Sequence, residues 1–256
     1  MMIEQTQLDL HSVKFTQNGI TIQIWPEFAL DSDVDKDFNT HSLSELIDES
    51  EKNPDQLYIP GTFTEQINGY LHNTLPVISN GEFILKRNKI KSSYRVIDWV
   101  EAANTLGLED EKQTIEKAIK TRKDPTLTEM DLNEASEILD ILYKGPKRRI
   151  QNQARDTAKV EAVESVSLVQ INELNILPVI CNELQQIESY VGKKPDIIAE
   201  SSFHFDNWRS RYSKLIEDGF LSPGTHIIRA DGGNPDQSGI YKVQQEALER
   251  VQANTD

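Results

Sequence analysis

Residues 86–91, Lys-Arg-Asn-Lys-Ile-Lys, stand where the sequence pattern of this chain changes. Before them apolar and polar residues alternate, as in strands, and from Ser93 onward apolar residues recur at the spacing of a helix. The same segment opens the only cationic part of an acidic chain. Residues 86–159 carry a net charge of +3, against −11 for residues 1–85 and −7 for residues 160–256. The middle is therefore the only part of the chain whose charge is able to attract an anion.

The amino-terminal part carries two hairpin signals. Asn18-Gly19 lies inside the alternating stretch 7–26, and Asn80-Gly81 lies between two apolar runs; both pairs supply the positive φ angles of a tight turn. A strand is expected near 57–63 and a short helix near 64–72. The first 90 residues are predicted to form a small acidic α+β domain.

The middle of the chain is predicted to be helical. Apolar spacing indicates helices near 93–106 and 110–122, then a third helix from Thr128 that Gly145-Pro146 ends. A fourth helix follows from Lys147, and the apolar residues of 160–191 fall near heptad spacing. These segments together predict a packed helical bundle rather than a long coiled coil.

The carboxyl-terminal part has mixed patterns. Ile197-Ile198 predicts a short strand, and 206–218 predicts a helix stopped by Gly219. The apolar runs 226–228 and 240–243 are expected to pair, and a last helix is expected over 244–253.

The fold class predicted from these patterns is α+β. It consists of a small hairpin-containing amino-terminal part, a central helical bundle and a small mixed carboxyl-terminal part. The expected domain limits are 1–90, 91–194 and 195–256.

The cations of the middle block are the candidate contacts for nucleic acid, because phosphate binding rests on Lys and Arg. The turn at Gly107 is similar to that of a helix-turn-helix, but Gln113 stands where an inward apolar residue belongs, so a plain helical hairpin remains the alternative. A solvated helix surface is the alternative for the cations themselves. The candidate residues are Lys86, Arg87, Lys89, Lys91, Lys120, Arg122, Lys123, Lys147, Arg148, Arg149 and Arg155.

One cluster of possible catalytic groups lies near the carboxyl terminus. A metal-dependent hydrolase is an alternative if the following side chains lie close enough together to hold a metal ion: His204, Asp206, His226, Asp231 and Asp236. Each of them also fits an ordinary structural role, as a helix cap, in a turn or on a partly polar surface. No phosphate loop, nucleophile elbow or dinucleotide fingerprint is present in the sequence. No catalytic residue, metal ligand or cofactor is therefore assigned from the sequence.

The single cysteine, Cys181, excludes an internal disulfide and a thiolate zinc cluster, and its apolar surroundings predict a buried, inert thiol. A reducing cytoplasm is the expected compartment. No signal peptide and no run of 18 apolar residues is present, so no membrane contact is expected.

These observations favour a non-enzymatic accessory or regulatory protein that contacts nucleic acid or a nucleoprotein complex through its basic middle, with a further protein partner. Two alternatives remain: a structural subunit of a larger, possibly viral, assembly, and the metal-dependent hydrolase. The acidic amino-terminal part is further expected to cover the basic helices in part.

Overall fold

The computed structural model describes most of the chain. The described residues are 12–27, 29–30, 36–67, 70–96, 99–122, 129–184, 186, 194–203, 208–232, 234–245 and 247–253. The chain forms two compact units. The sheet unit comprises residues 1–64, 73–91 and 162–256, and the helical unit comprises residues 65–72 and 92–161.

The first sheet contains six strands in the order β1-β2-β3-β5-β4, with β6 also paired to β5. The Asn18-Gly19 and Asn80-Gly81 hairpins are confirmed: φ is +52° and +79° in the first turn and +51° and +77° in the second. Both residues of each turn thus adopt the positive φ that matches the twist of the flanking strands. The strands are β1 (Val13–Gln17), β2 (Ile20–Ile24), β3 (Gln56–Ile59), β4 (Phe63–Ile67), β5 (Tyr70–Ser79) and β6 (Glu82–Val96).

The second sheet contains six strands in the order β12-β11-β10-β9-β8-β7. Its centre is parallel, since β9 pairs in parallel with both β8 and β10, and its outer pairs are antiparallel. The predicted strand at Ile197 and the predicted pairing of 226–228 with 240–243 are confirmed. The strands are β7 (Val169–Ile171), β8 (Leu174–Ile180), β9 (Ile197–Ser202), β10 (His226–Asp231), β11 (Gly239–Val243) and β12 (Leu248–Ala253).

The two sheets pack face to face within the sheet unit. Ile22 and Ile24 of β2 share one buried core with Ile176, Ile197 and Ile228 of the second sheet. The other face of the second sheet is covered by Trp208, Tyr212 and Leu215, which are buried in a second core. The central strands β8, β9 and β10 are therefore buried on both faces, as in parallel sheets generally.

The structure describes five helices. The helices are α1 (Lys36–Lys52), α2 (Trp99–Thr105), α3 (Glu109–Arg122), α4 (Glu129–Glu164) and α5 (Arg209–Glu217). Two predicted helices are confirmed, 110–122 as α3 and 206–218 as α5, whose carboxyl-terminal stop at Gly219 has φ +73°. In the helical unit, Ala102, Ala103, Ile115, Ile150 and Ala154 form a separate small core.

The central helical bundle is not evident, because sheets dominate the fold. The helix expected over 64–72 is wrong, since strands β4 and β5 lie there, and β6 continues through Val96 into the start of the helix expected over 93–106. Strands β4 and β5 pair with each other, so pairing with a neighbouring strand outweighed the local helical spacing. The mixed α+β class itself is confirmed.

Three further predictions fail for identifiable reasons. Gly145-Pro146 does not end a helix: α4 continues through it, and the cost of the proline is offset by the burial of Pro146 and Ile150. The heptad-like residues of 160–191 include strands β7 and β8, because a strand buried on both faces loses its period of two. The expected last helix is strand β12, which pairs with β11.

The expected limits 1–90, 91–194 and 195–256 differ from the compact units of the structure. Strands β7 to β11 share a core with the first sheet, so the two ends of the chain fall into one unit and residues 92–161 into the other. The described residues contain no helix that is both long enough and apolar enough to span a membrane.

Candidate functional site

Cys181 occupies an unusual backbone position. It follows the last residue of β8 and begins a short 3-10 turn, Cys181–Glu183, with φ +53°. The other described non-glycine residues with positive φ lie in the two-residue turns between paired strands. A left-handed conformation costs a non-glycine residue about 1–2 kcal/mol. Such strain is retained mainly where it places a group for function.

A buried ion pair lies within electrostatic range of this thiol. The Lys89 ammonium donates to Oε1 of Glu27 at 2.6 Å, and the amide of Asn73 donates to the same oxygen at 2.6 Å. The side chain of Glu27 is 2% exposed and that of Lys89 is 16% exposed. The carboxylate is therefore held in one orientation by two donors on the neighbouring strands β5 and β6.

Both charges of the Glu27–Lys89 pair affect the pKa of the Cys181 thiol. The pKa of Cys181 is raised to about 11: burial is the largest cause, the Glu27 carboxylate adds to the rise, and the Lys89 ammonium opposes it. The backbone N–H of Phe203 also lowers the pKa by donating towards the sulfur. The thiol is therefore neutral at pH 7, and an adjacent base must accept its proton before the sulfur becomes a strong nucleophile.

Lys89 remains a cation in this environment. Burial alone would lower its pKa, but attraction to Glu27 and the hydrogen bond between them outweigh burial, and the pKa of Lys89 lies above its usual value. Cys181 itself contributes to this rise. A fixed positive charge beside a thiol is suited to stabilising negative charge that develops during a reaction.

The turn that carries Glu27 is built by close backbone packing. The N–H of Trp25 donates to the carbonyl of Ile59, and the N–H of Glu27 donates to the carbonyl of Ser202 at 3.2 Å. Gly61 has φ +82°, and a Cβ there would lie 2.1 Å from the carbonyl oxygen of Pro26. Glycine is thus required at position 61 for the turn to adopt this conformation.

An exposed aromatic ring borders the same turn. Phe203, whose N–H faces the sulfur, is 43% exposed. A Cβ on Gly232 would lie 2.9 Å from the Phe203 ring and 3.1 Å from Pro26. The ring therefore packs closely over backbone beside the turn that supplies Glu27, while part of it faces solvent.

Two of the cations predicted as nucleic-acid contacts are held in ion pairs inside the sheet unit. The side chain of Arg87 is 1% exposed and pairs with Glu183, and Lys89 pairs with Glu27, so neither is available to an external phosphate while these pairs hold. Lys86 is exposed, with its ammonium 5.6 Å from the centre of the Phe63 ring. For Lys91 the side chain is not described.

The remaining candidates lie in the helical unit. Lys120, Arg148, Arg149 and Arg155 are exposed, and Arg149 pairs with Glu111 at 2.6 Å. Lys147 is half-buried, with its ammonium 5.1 Å from the centre of the Trp99 ring. Lys123 and the side chain of Arg122 lie outside the described residues.

The histidine and aspartate cluster is not assembled in the described residues. His226 begins β10 against the ring of Phe15, whereas Asp231 ends the same strand, buried and paired with Arg229. Asp236 is exposed in a 3-10 turn. His204 and Asp206 lie outside the described residues, and no group of three metal-binding side chains occurs in the described part of the chain.

The sequence analysis missed Glu27 and interpreted Lys89 as a surface cation. The available signals were weak and local: a glutamate directly after strand β2, a lysine inside a strand, and a cysteine directly after a continuous apolar strand. The prediction that the Cys181 thiol is buried is confirmed, at 8% exposure.

Comparisons with known proteins add little to this geometry. No family model matches the chain, and no curated protein matches it. One solved structure that is similar is described as glutamine-dependent NAD+ synthetase from Acinetobacter baumannii in complex with adenosine diphosphate. The two sequences are 12% identical and the TM-score is 0.42. The match covers 91% of this chain and 37% of the synthetase chain, so this chain spans well under half the length of the synthetase.

Proposed function

We propose that this protein is an enzyme that hydrolyses a carboxylic amide through a covalent thioester on Cys181. The observation that carries the proposal is the placement of a strained thiol within electrostatic range of the buried Glu27–Lys89 pair. A nucleophile, a base and a fixed cation that stabilises negative charge are together sufficient groups for acyl transfer. The proposal departs from the non-enzymatic function expected from sequence.

In the first step, Cys181 Sγ attacks the carbonyl carbon of the amide. The S–H bond breaks as the S–C bond forms, and the proton passes to the Glu27 carboxylate. The thiol is neutral at rest, so this proton transfer has to accompany the attack. The Lys89 ammonium, whose charge acts on Cys181, stabilises the negative charge that develops during the attack.

In the second step, the protonated Glu27 donates its proton to the departing nitrogen. The C–N bond breaks, the amine leaves, and a thioester remains on Cys181. An amide suits this site because an amine leaving group needs a proton, and Glu27 has just received one. Water then attacks the thioester, Glu27 takes the proton of that water and returns it to sulfur, and a carboxylic acid is released.

Ammonia release from a panel of small primary amides tests the proposal. The wild-type protein should turn over at least one amide, and Cys181→Ser should fall to background, because a serine hydroxyl is a much weaker nucleophile at this pH. Turnover that survives in Cys181→Ser would overturn the proposal. A wild-type protein that neither turns over any amide nor reacts with iodoacetamide would overturn it as well.

A second proposal concerns the helical unit. We keep the predicted contact with nucleic acid for this unit, supported by the exposure of Lys120, Arg148 and Arg155. Changing Arg148 and Arg155 together to alanine should weaken binding to a duplex. The same change should make the dependence of the binding constant on salt less steep by up to about two units of logarithmic slope. Binding that is unchanged in strength and salt dependence would remove this proposal.

A further inference from the structure

A second buried ion pair lies next to the proposed catalytic groups. The guanidinium of Arg87 forms an ion pair with the carboxylate of Glu183, and the two side chains are 1% and 2% exposed. Arg87 precedes Lys89 by two residues on β6, and Glu183 follows Cys181 by two residues. Residues two apart on a strand project from the same face, so Arg87 and Lys89 share one face of β6.

Arg87 holds the segment around Cys181 at two points. Besides its ion pair with Glu183, its Nη2 donates to the carbonyl of Pro178 at 3.1 Å. Pro178 lies in β8, before Cys181, and Glu183 lies after it. One planar guanidinium thus bridges the strand and the turn on both sides of the nucleophile, which a lysine ammonium would do less rigidly.

The pair also joins the two sheets at the level of the site. Strand β6 belongs to the first sheet, and β8 belongs to the second. Lys89 is carried by one of these strands and Cys181 follows the other, so the contact between Arg87 and Glu183 constrains the distance between ammonium and sulfur.

A contribution to folding stability is a weak explanation for the buried Arg87–Glu183 ion pair. Removing two charges from water is costly, and apolar side chains of similar volume often replace a buried ion pair without loss of stability. Burial raises the pKa of Glu183, and the charge of Arg87 opposes that rise. Burying the charged carboxylate therefore costs free energy, which its attraction to Arg87 partly offsets.

We infer that Arg87 and Glu183 are positioning residues that hold Cys181 at its working distance from Lys89. The inference rests on the proposed function, because it assigns these residues to the same thiol chemistry. Neither residue is assigned a contact with the reacting atoms. Their effect is on the geometry of Cys181 and Lys89.

The double variant R87M/E183M tests the inference. It removes both charges together, so neither is left buried alone, and it should unfold at a temperature close to that of the wild type. Its rate of acetylation by p-nitrophenyl acetate at saturation should fall at least tenfold, with KM little changed, because a displacement of about 1 Å is enough to cost up to about a hundredfold in rate.

The pKa of the thiol provides a readout that a merely structural role would not move. Lys89 lowers the pKa of Cys181, and the largest charge effects on this thiol come from Glu27, Lys89 and Glu200. A larger distance between ammonium and sulfur should therefore raise the thiol pKa above its wild-type value. The thiol is titrated through its alkylation rate as a function of pH, and the chain has a single cysteine.

Two further variants keep the test decisive. R87K retains the positive charge, but a lysine has one side-chain nitrogen in place of the two guanidinium nitrogens that reach Glu183 and Pro178. R87K should therefore show a smaller loss of rate than the double variant. The ion pair of Arg149 and Glu111 in the helical unit, in which Arg149 is exposed, serves as the control, and R149M/E111M should leave the rate and the thiol pKa unchanged. If R87M/E183M does not fold, R87K and E183Q are compared by the same two measurements.

The outcomes separate the inference from the proposed function. Wild-type rate and thiol pKa in R87M/E183M, or in both R87K and E183Q, would overturn the inference while leaving the proposed function intact. A wild-type thiol that is not acetylated, and whose pKa does not respond to Lys89→Met, would overturn the proposed function instead.

Discussion

Replacing Glu27 with glutamine separates the two effects that this carboxylate has on Cys181. The change keeps the shape of the side chain and removes its charge and its ability to accept a proton. In the wild type the pKa of Cys181 is about 11, with burial as the largest cause and the Glu27 charge as the second. In Glu27→Gln the second cause is absent while Lys89 still attracts the thiolate. The thiol pKa should therefore fall below about 11.

The same variant should nonetheless lose catalysis. With no carboxylate to take the proton of the thiol and to return it to the leaving nitrogen, turnover should fall by about 10²- to 10⁴-fold, the usual contribution of a general acid–base group. A more ionised thiol with lower turnover is an unusual combination. Lys89→Met is the matched variant, because removing the cation should raise the thiol pKa and also reduce turnover.

Stability provides a third readout of Glu27→Gln. Removing one partner of a buried ion pair costs about 3–5 kcal/mol, and the partial exposure of Lys89 favours the lower end. The pKa of Lys89 is raised in the folded protein above its ordinary value of 10.5. The stabilisation from this pair is therefore fully present at neutral pH and is lost as the pH rises through the folded-state pKa, above 10.5. The stability difference between wild type and variant should narrow in that range.

The measurements are alkylation rate against pH for the thiol, ammonia release for turnover, and denaturant unfolding at several pH values. A thiol pKa that rises in Glu27→Gln, or turnover that stays at the wild-type level, would refute the assignment of Glu27 as the base beside Cys181.

Three further predictions concern the scaffold, and equilibrium unfolding by denaturant measures each of them. Gly61→Ala should destabilise the protein by more than about 2 kcal/mol and abolish turnover, because the added Cβ collides with the Pro26 carbonyl. A Gly61→Ala protein as stable as the wild type would contradict this close packing of Gly61 against Pro26. Gly145→Ala should stabilise the protein by about 0.5–1 kcal/mol, since its Cβ would meet only the end of Arg149 at 3.6 Å inside α4, and a loss of stability would contradict this. Arg229→Met should cost about 3–5 kcal/mol because it leaves Glu200 and Asp231 buried without their cation, and a neutral effect would contradict this.

Local chemistry made the turns predictable. The pairs at Asn18 and Asn80 require positive φ whatever the rest of the chain does, and the helix ending at Gly219 closes with the N–H of Phe220 donating to Leu215. These features depend on a few adjacent residues, so a single sequence is enough to find them.

The second sheet was only partly predictable, because its pattern depends on burial. Strand β8 is covered on both faces, so its residues do not alternate, and its spacing was interpreted as a helix. Strand β12 contains Leu248, Glu249 and Arg250, which favour a helix locally, yet Lys242 of β11 lies opposite Glu249 in the sheet. Pairing across strands decided the structure in both cases.

The candidate site was not predictable because its members are far apart in sequence. Glu27 follows β2, Lys89 lies within β6 and Cys181 follows β8. Each of the three residues fits an ordinary structural role when it is considered alone. Lys89 in particular lies in a cationic run, and only the fold shows that it turns inward to Glu27 while Lys86 remains exposed. A pattern of charge along the sequence does not reveal which face of a strand is buried.

The most direct test of the account is the mass of the intact protein after brief incubation with p-nitrophenyl acetate and an acid quench. The account predicts one acetyl group per chain, located on Cys181, released by hydroxylamine at neutral pH as expected of a thioester, and absent in Cys181→Ser. Acetylation that persists in Cys181→Ser, or a wild-type chain that carries no acetyl group on Cys181, would contradict the central claim that this thiol is the nucleophile.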